Sequence, residues 1–175
     1  TPDIVGETEP GATVRLFQDA DCTGPDLGET VANETGDFAF GIDAIENSDY
    51  AVSAQATDKA TNLGPCSAVF IYTNDTVVPE PPVFTDTSPD SPSADNTSPI
   101  LLGNCEGFAT VQVYTTDDCS GEPHASSTAT PSGVFAVPVT AAENAETTYW
   151  GTTTDVAGNV STCSTDSFTY VHDNE

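Results

Sequence analysis

The sequence has no methionine, one tryptophan, two histidines and only two basic residues, Arg15 and Lys59, against 28 acidic ones. The resulting formal charge of -26 excludes nucleic acid as a partner, because phosphate binding needs clustered Lys and Arg. It equally disfavours an anionic membrane surface and suits a cation-rich medium that damps self-repulsion. No apolar run approaches the roughly 18 residues of a membrane-spanning helix, so no membrane insertion is expected. No signal peptide or tag is visible, and the chain reads as a mature or excised segment. Neither His124 nor His172 sits in H-E-x-x-H, no G-x-S-x-G occurs, and no glycine-rich phosphate loop is present. Catalysis is therefore not expected, and the sole lysine, in a turn, leaves no role for an internal Lys–Asn isopeptide bond.

Threonine is abundant instead, at 27 residues, and proline and glycine supply 13 each. A chain rich in Thr and Val with frequent breakers reads as short strands and turns. No stretch keeps an apolar period of 3.6 residues, so essentially no helix is expected.

Self-comparison is the most informative step. Setting Thr1 against Ser98 aligns residues 1–67 with the second half without a gap and makes 22 positions identical. "GATVRLFQDADCTG" (11–24) lies on "FATVQVYTTDDCSG" (108–121), and "TGDFAF" (35–40) on "SGVFAV" (132–137). One inserted residue brings "FIYTND" (70–75) onto "FTYVHD" (168–173). The reading is two copies of one domain, residues 1–77 and 78–175. The second copy carries an additional leader, "PPVFTDTSPDSPSADN" (81–96), in which Val83–Thr87 suits an opening strand. The first copy lacks a counterpart, through excision or because another chain donates the strand to the bare edge.

Alternation assigns the inward faces. Val14 and Leu16 correspond to Val111 and Val113, and Phe38 and Phe40 to Phe135 and Val137. Val52, Ala54 and Ala56 correspond to Tyr149, Gly151 and Thr153, and Phe70 and Tyr72 to Phe168 and Tyr170. Arg15, Gln112 and Tyr114 fall on the outward phase, as do Ser53 and Trp150, which makes Trp150 a candidate contact residue. About seven short strands per copy, with turn signals every 8–12 residues, suggest an all-β Greek-key sandwich.

The strand pattern G-x-T-V-x-(V/L)-Y/F, the turn D-x-A-G-N-x-S at Asp155–Ser161 and the leader together resemble bacterial Ig-like repeats of large surface and secreted proteins, including adhesin arrays. The likeness covers all of the second copy and most of the first, which departs at Thr61 where the second has Gly158. It implies two tandem Ig-like sandwiches serving as an extracellular or cell-surface stalk or adhesive repeat. Neighbouring Ig-like domains, further copies, or a host receptor or sugar would then be the partners. Fold alone does not carry that step.

Cys22 aligns with Cys119 and Cys66 with Cys163. In an Ig-like sandwich the two loops that hold each pair lie at the same end, which implies Cys22–Cys66 and Cys119–Cys163 disulfides and an oxidising compartment. Cys105 is left over, either as a buried thiol or as an intermolecular bridge in a fibre.

Acidic residues offer candidate calcium ligands. Asp117, Asp118, Asp155 and Asn159 fall at one predicted end of the second copy. Asp75 closes the first copy and Asp86 lies in the connection, so Ca²⁺ held at the junction of the copies would rigidify the pair into a stalk. The alternative is that these are turn residues chosen for local hydrogen bonding. Four N-x-S/T sequences, at Asn33, Asn74, Asn96 and Asn159, suit chance in so Asn- and Thr-rich a chain. Three functional readings follow: a stalk module, a filament subunit joined by strand donation or Cys105, and a binding module using Trp150 or the loops.

Overall fold

The structure, a computed structural model, describes residues 2–175 and is all-β, with no helix among the described residues. It divides into two compact units, Thr1–Thr76 and Val77–Glu175. The first contains β1 (Asp3–Glu7), β2 (Thr13–Phe17), β3 (Asp26–Val31), β4 (Asp37–Gly41), β5 (Ser48–Thr57), β6 (Leu63–Cys66) and β7 (Phe70–Asn74). The second contains β8 (Val83–Ser88), β9 (Ile100–Asn104), β10 (Thr110–Tyr114), β11 (Ala125–Thr128), β12 (Val134–Pro138), β13 (Glu146–Thr154) and β14 (Phe168–Val171).

Each unit is a sandwich of two antiparallel sheets. In the second, β12-β9-β8 faces β11-β10-β13-β14. In the first, β1-β4 faces β3-β2-β5-β6, and β7 pairs with the leading half of β5. Both copies thus form Ig-like Greek-key sandwiches, as the strand spacing suggested.

Alternation puts one side of each strand into a core. Val14, Leu16, Ile42, Tyr50 and Val52 form the first core. Leu101, Val111, Val113, Phe135, Val137, Tyr149 and Tyr170 dominate the second. The two buried tyrosines satisfy their hydroxyls on backbone carbonyls, Tyr149 donating to Thr140 at 2.7 Å and Tyr170 to Asn96 at 2.7 Å. Burial pushes the Tyr149 phenol up to about 12.

The hairpin before β4 and β12 explains one repeated glycine. Gly36 and Gly133 have φ of 96° and 83°, and a Cβ there would lie 2.3 Å from the Thr8 carbonyl oxygen and 2.2 Å from that of Cys105. Only glycine allows so close a backbone approach in the left-handed region.

Two outward assignments differ from the structure. Tyr114 is buried, at 8% exposure, and pairs across the ladder with half-buried Trp150. Ser53 is buried as well, at 1%, because its hydroxyl is drawn into a loop hydrogen-bond network. Strand alternation carries no information about such a network.

Candidate functional site

Each unit closes one end with a disulfide. Cys22–Cys66 and Cys119–Cys163 have Cα separations of 5.8 and 5.6 Å, and both span 44 residues. The bond ties the loop after β2 or β10 to the segment that follows the β5 or β13 turn, as the family resemblance implied.

That turn is built identically in both copies. In the second, the Asn159 amide donates to Asp155 Oδ1 at 2.8 Å, Asn159 Nδ2 to Asp155 Oδ2 at 2.9 Å, and the Asp155 amide to the Asn159 carbonyl at 3.0 Å. In the first, Asn62 and Asp58 repeat the three bonds at 2.8, 2.7 and 3.1 Å. The Asn159 side chain, helped by backbone donors, holds the Asp155 carboxyl below the usual carboxylate range, and Asn62 does the same for Asp58. Gly158 takes φ 94°, and Thr61 in its place takes φ 69°. The turn geometry therefore survives the loss of glycine, with a threonine held in a conformation that L-residues rarely adopt.

A third loop carboxylate escaped the sequence reading. Asp19 accepts hydrogen bonds from the amides of Cys22 (2.9 Å), Thr23 (2.8 Å) and Gly24, and from Ser53 Oγ at 2.9 Å. Desolvation works against its charge, but Ser53 and the Gly24 and Thr23 amides outweigh it and hold the carboxyl at about 2. The second copy has Thr116 at this place, whose Oγ1 donates to the Ser120 carbonyl at 3.1 Å. The available signal was an Asp three residues before a Cys-Thr-Gly turn, a frequent local hydrogen-bonding pattern.

Several of the candidate calcium ligands take part in local turn hydrogen bonds. Asp155 is committed to Asn159, Asp118 accepts the Ser120 amide at 3.0 Å, and Asp86 accepts the Thr87 amide at 2.8 Å. Asp75 belongs to the first unit and Asp117 to the loop of the second. Among the described residues no group of three or more His, Cys, Asp and Glu is arranged to hold a metal ion.

Cys105 is unpaired and half-buried against the second core, with its thiol 3.3 Å from the Glu106 carbonyl oxygen. Burial, and then the Glu106 charge, push its pKa up, which keeps it a thiol rather than a reactive thiolate.

The largest difference between the units lies at the sheet edge. In the second, β8 runs antiparallel to β9, with Val83 opposite Asn104 and Ser88 opposite Ile100. Phe84 meets Phe135 edge-on, with ring centroids 5.8 Å apart. A Cβ on Gly151 would lie 2.8 Å from Pro82 Cγ and 3.1 Å from Phe84 Cζ, so the two side chains cover that strand. The leader then crosses to the other sheet: the Ser93 amide donates to the Val171 carbonyl at 3.0 Å, and the Asp173 amide to the Ser93 carbonyl at 3.0 Å. In the first unit β1 pairs with β4 alone. There a groove of about 550 Å³ opens between the sheets, lined by Ile4, Gly6, Phe38, Ala54, Ala56 and Phe70 among others.

Residues 88–169 match the family model of the bacterial Ig domain. The match lies within the second unit, whose strand and turn pattern the first shares, in line with the resemblance read from the sequence. Among solved structures, the chain is similar to the BSP domain of a biofilm associated protein, at 17% identity and a TM-score of 0.39, over 98% of this chain and 27% of that one. It is also similar to the D00-D0 domain of intimin, at 14% identity and a TM-score of 0.27, over 98% of this chain and 85% of that one. The chain thus spans about a quarter of the length of the first of these structures. Among curated proteins none matches.

Proposed function

We propose that the chain is a non-catalytic structural module, a pair of disulfide-stapled Ig-like repeats in the extracellular or surface-exposed part of a large bacterial protein. The observation that carries this reading is the duplication of a whole mechanical unit. Sandwich, Asp–Asn turn and 44-residue disulfide loop all recur, and among the described residues no metal-holding cluster of His, Cys, Asp and Glu is found. Repeats that each bury their own core suit tandem arrays, in which neighbouring Ig-like domains are the partners. Two disulfides in a chain of this size fit an oxidising compartment. A charge of -26 fits an exposed, soluble surface.

The histidines support the non-catalytic reading through their structural engagements. The His124 ring bonds the Thr140 backbone amide at 3.2 Å, and His172, 3% exposed, accepts the Asn144 amide at 3.0 Å. Brief proteolysis of intact producing cells tests the location. The expected result is release of peptides from this chain, with Cys22–Cys66 and Cys119–Cys163 linked, before cytoplasmic proteins appear. Protection of the chain until lysis, or recovery of the four cysteines as free thiols, would contradict it.

A further inference from the structure

We propose that His172 is an acid-sensitive pin at the end of the second unit where β14 leaves its sheet, and that protonating its ring releases the residues after β14 from the two segments that hold them. This goes beyond the structural role above and does not depend on it.

Three stretches of chain meet at this end. The leader contributes Ser91, whose Oγ accepts the Val171 amide at 2.9 Å. It also contributes Ser93, whose amide donates to the Val171 carbonyl and whose carbonyl accepts the Asp173 amide, both at 3.0 Å. The loop before β13 contributes the Ala145 carbonyl, which accepts the His172 amide at 3.1 Å, and Asn144, whose Oδ1 accepts the Asn174 amide at 3.0 Å. The His172 ring closes the arrangement. It is 3% exposed, and its Nδ1 accepts the Asn144 backbone amide at 3.0 Å. Asn144 has φ 51°, a left-handed conformation that these bonds help to hold.

A ring nitrogen that accepts an N–H has to be unprotonated. A proton on Nδ1 would set two donors against each other and place a charge in a site closed to water. Imidazoles ordinarily take up a proton near pH 6.5, so the hold is complete above that range and is lost as pH falls through it. The charged groups on the three stretches are Asp90 and Asp95 on the leader, Glu143 and Glu146 around the start of β13, and Asp173 and Glu175 after β14. All six are exposed and acidic. Both basic residues of the chain, Arg15 and Lys59, belong to the first unit. An imidazolium therefore meets attractive charge by moving outward, which draws the residues after β14 off the loop.

The first unit supplies the contrast. Asn47 matches Asn144 and keeps its geometry, with φ 55° and an Oδ1 that accepts the Thr76 amide at 2.8 Å. Where the second unit has His172, the first has Asn74, whose Nδ2 donates to the Ile45 carbonyl at 3.4 Å. The same clasp is thus built once with a titratable pin and once with a neutral amide. Mild acid should open the second and leave the first closed.

The test uses the whole chain and reads amide hydrogen exchange at about pH 7.5 and about pH 5.5, where carboxylates stay ionised. Rates are corrected for intrinsic exchange, and NMR follows the two imidazoles over the same range. Protection of the Asn144 and Asn174 amides should fall by about tenfold, in step with the His172 ring, because each pH unit below the titration range favours the open form by that factor. The Thr76 amide in the same molecule should keep its protection. His172→Asn, which installs the first unit's residue, should abolish the pH dependence, and His124→Gln should preserve it. Unchanged protection of Asn174 at the lower pH would overturn the proposal. So would an equal fall at Thr76, or a pH dependence that persists in His172→Asn. If that variant fails to fold by circular dichroism, the comparison of Asn174 with Thr76 in the unaltered chain decides.

Discussion

Phe84 stands edge-on to Phe135 at 5.8 Å, and this contact separates a completed sandwich from one with an open side. The sole tryptophan, Trp150, lies in the second unit, so its fluorescence reports the unfolding of that unit alone. Replacing Phe84 by Ala removes a ring from the second core and should destabilise the unit by about 2–4 kcal/mol. Phe38→Ala in the open unit should cost less, about 1–2 kcal/mol, because its ring is already half-solvated. Denaturant titrations followed by fluorescence and circular dichroism check both; equal costs at the two sites would contradict the account of the open edge.

The Asp–Asn turn offers a backbone test. Thr61 sits at φ 69° where the second copy has Gly158 at φ 94°. Thr61→Gly should stabilise the first unit by about 1 kcal/mol, and Gly158→Thr should destabilise the second by a similar amount. Thermal melts of the two variants should shift in opposite directions.

Acid should loosen the loops these carboxylates hold. Asp19, Asp58 and Asp155 all have carboxyls lowered in the folded state, Asp19 to about 2. A lowered carboxylate contributes stability that is fully present above its unfolded pKa, near 4, and is lost as pH falls through the folded value. The stability these carboxylates add should therefore be flat down to about pH 5 and decline toward about pH 2. Asp19→Asn should flatten that decline for the first unit, and a profile identical to wild type would contradict the assignment.

The candidate calcium ligands are tested by melting in millimolar Ca²⁺ and in excess chelator: melting temperatures that agree within about 1 °C would count against them. A stabilisation growing with the logarithm of Ca²⁺ concentration would reveal a specific site.

Much of the fold was legible because it is written twice. The offset between copies exposed the strands, and period-two alternation found Val111, Val113, Phe135 and Tyr149, all buried. The cysteine pairing followed once the Ig-like resemblance placed both loops at one end. Alternation missed Ser53 and Tyr114, which are buried, and placed inward Phe70, which is 55% exposed. Ser53 turns inward because Asp19, 34 positions away, needs a donor, and the hydroxyl of buried Tyr114 donates to Gln112 Oε1 at 3.3 Å. The local hydrogen bonds of the acidic loop residues were likewise not legible. Asp118 and Asp155 accept hydrogen bonds from donors in their own loops, which acidic density along the sequence does not reveal.

The most direct measurement of the structural role is single-molecule extension under oxidising and reducing conditions. Each disulfide closes a 44-residue loop, so an intact bond should withhold about 150 Å of contour length from the unfolding of its unit. The account predicts two unfolding events, each lengthening by about 150 Å on reduction. A single event, or lengths that do not change with reductant, would contradict a pair of independently stapled modules.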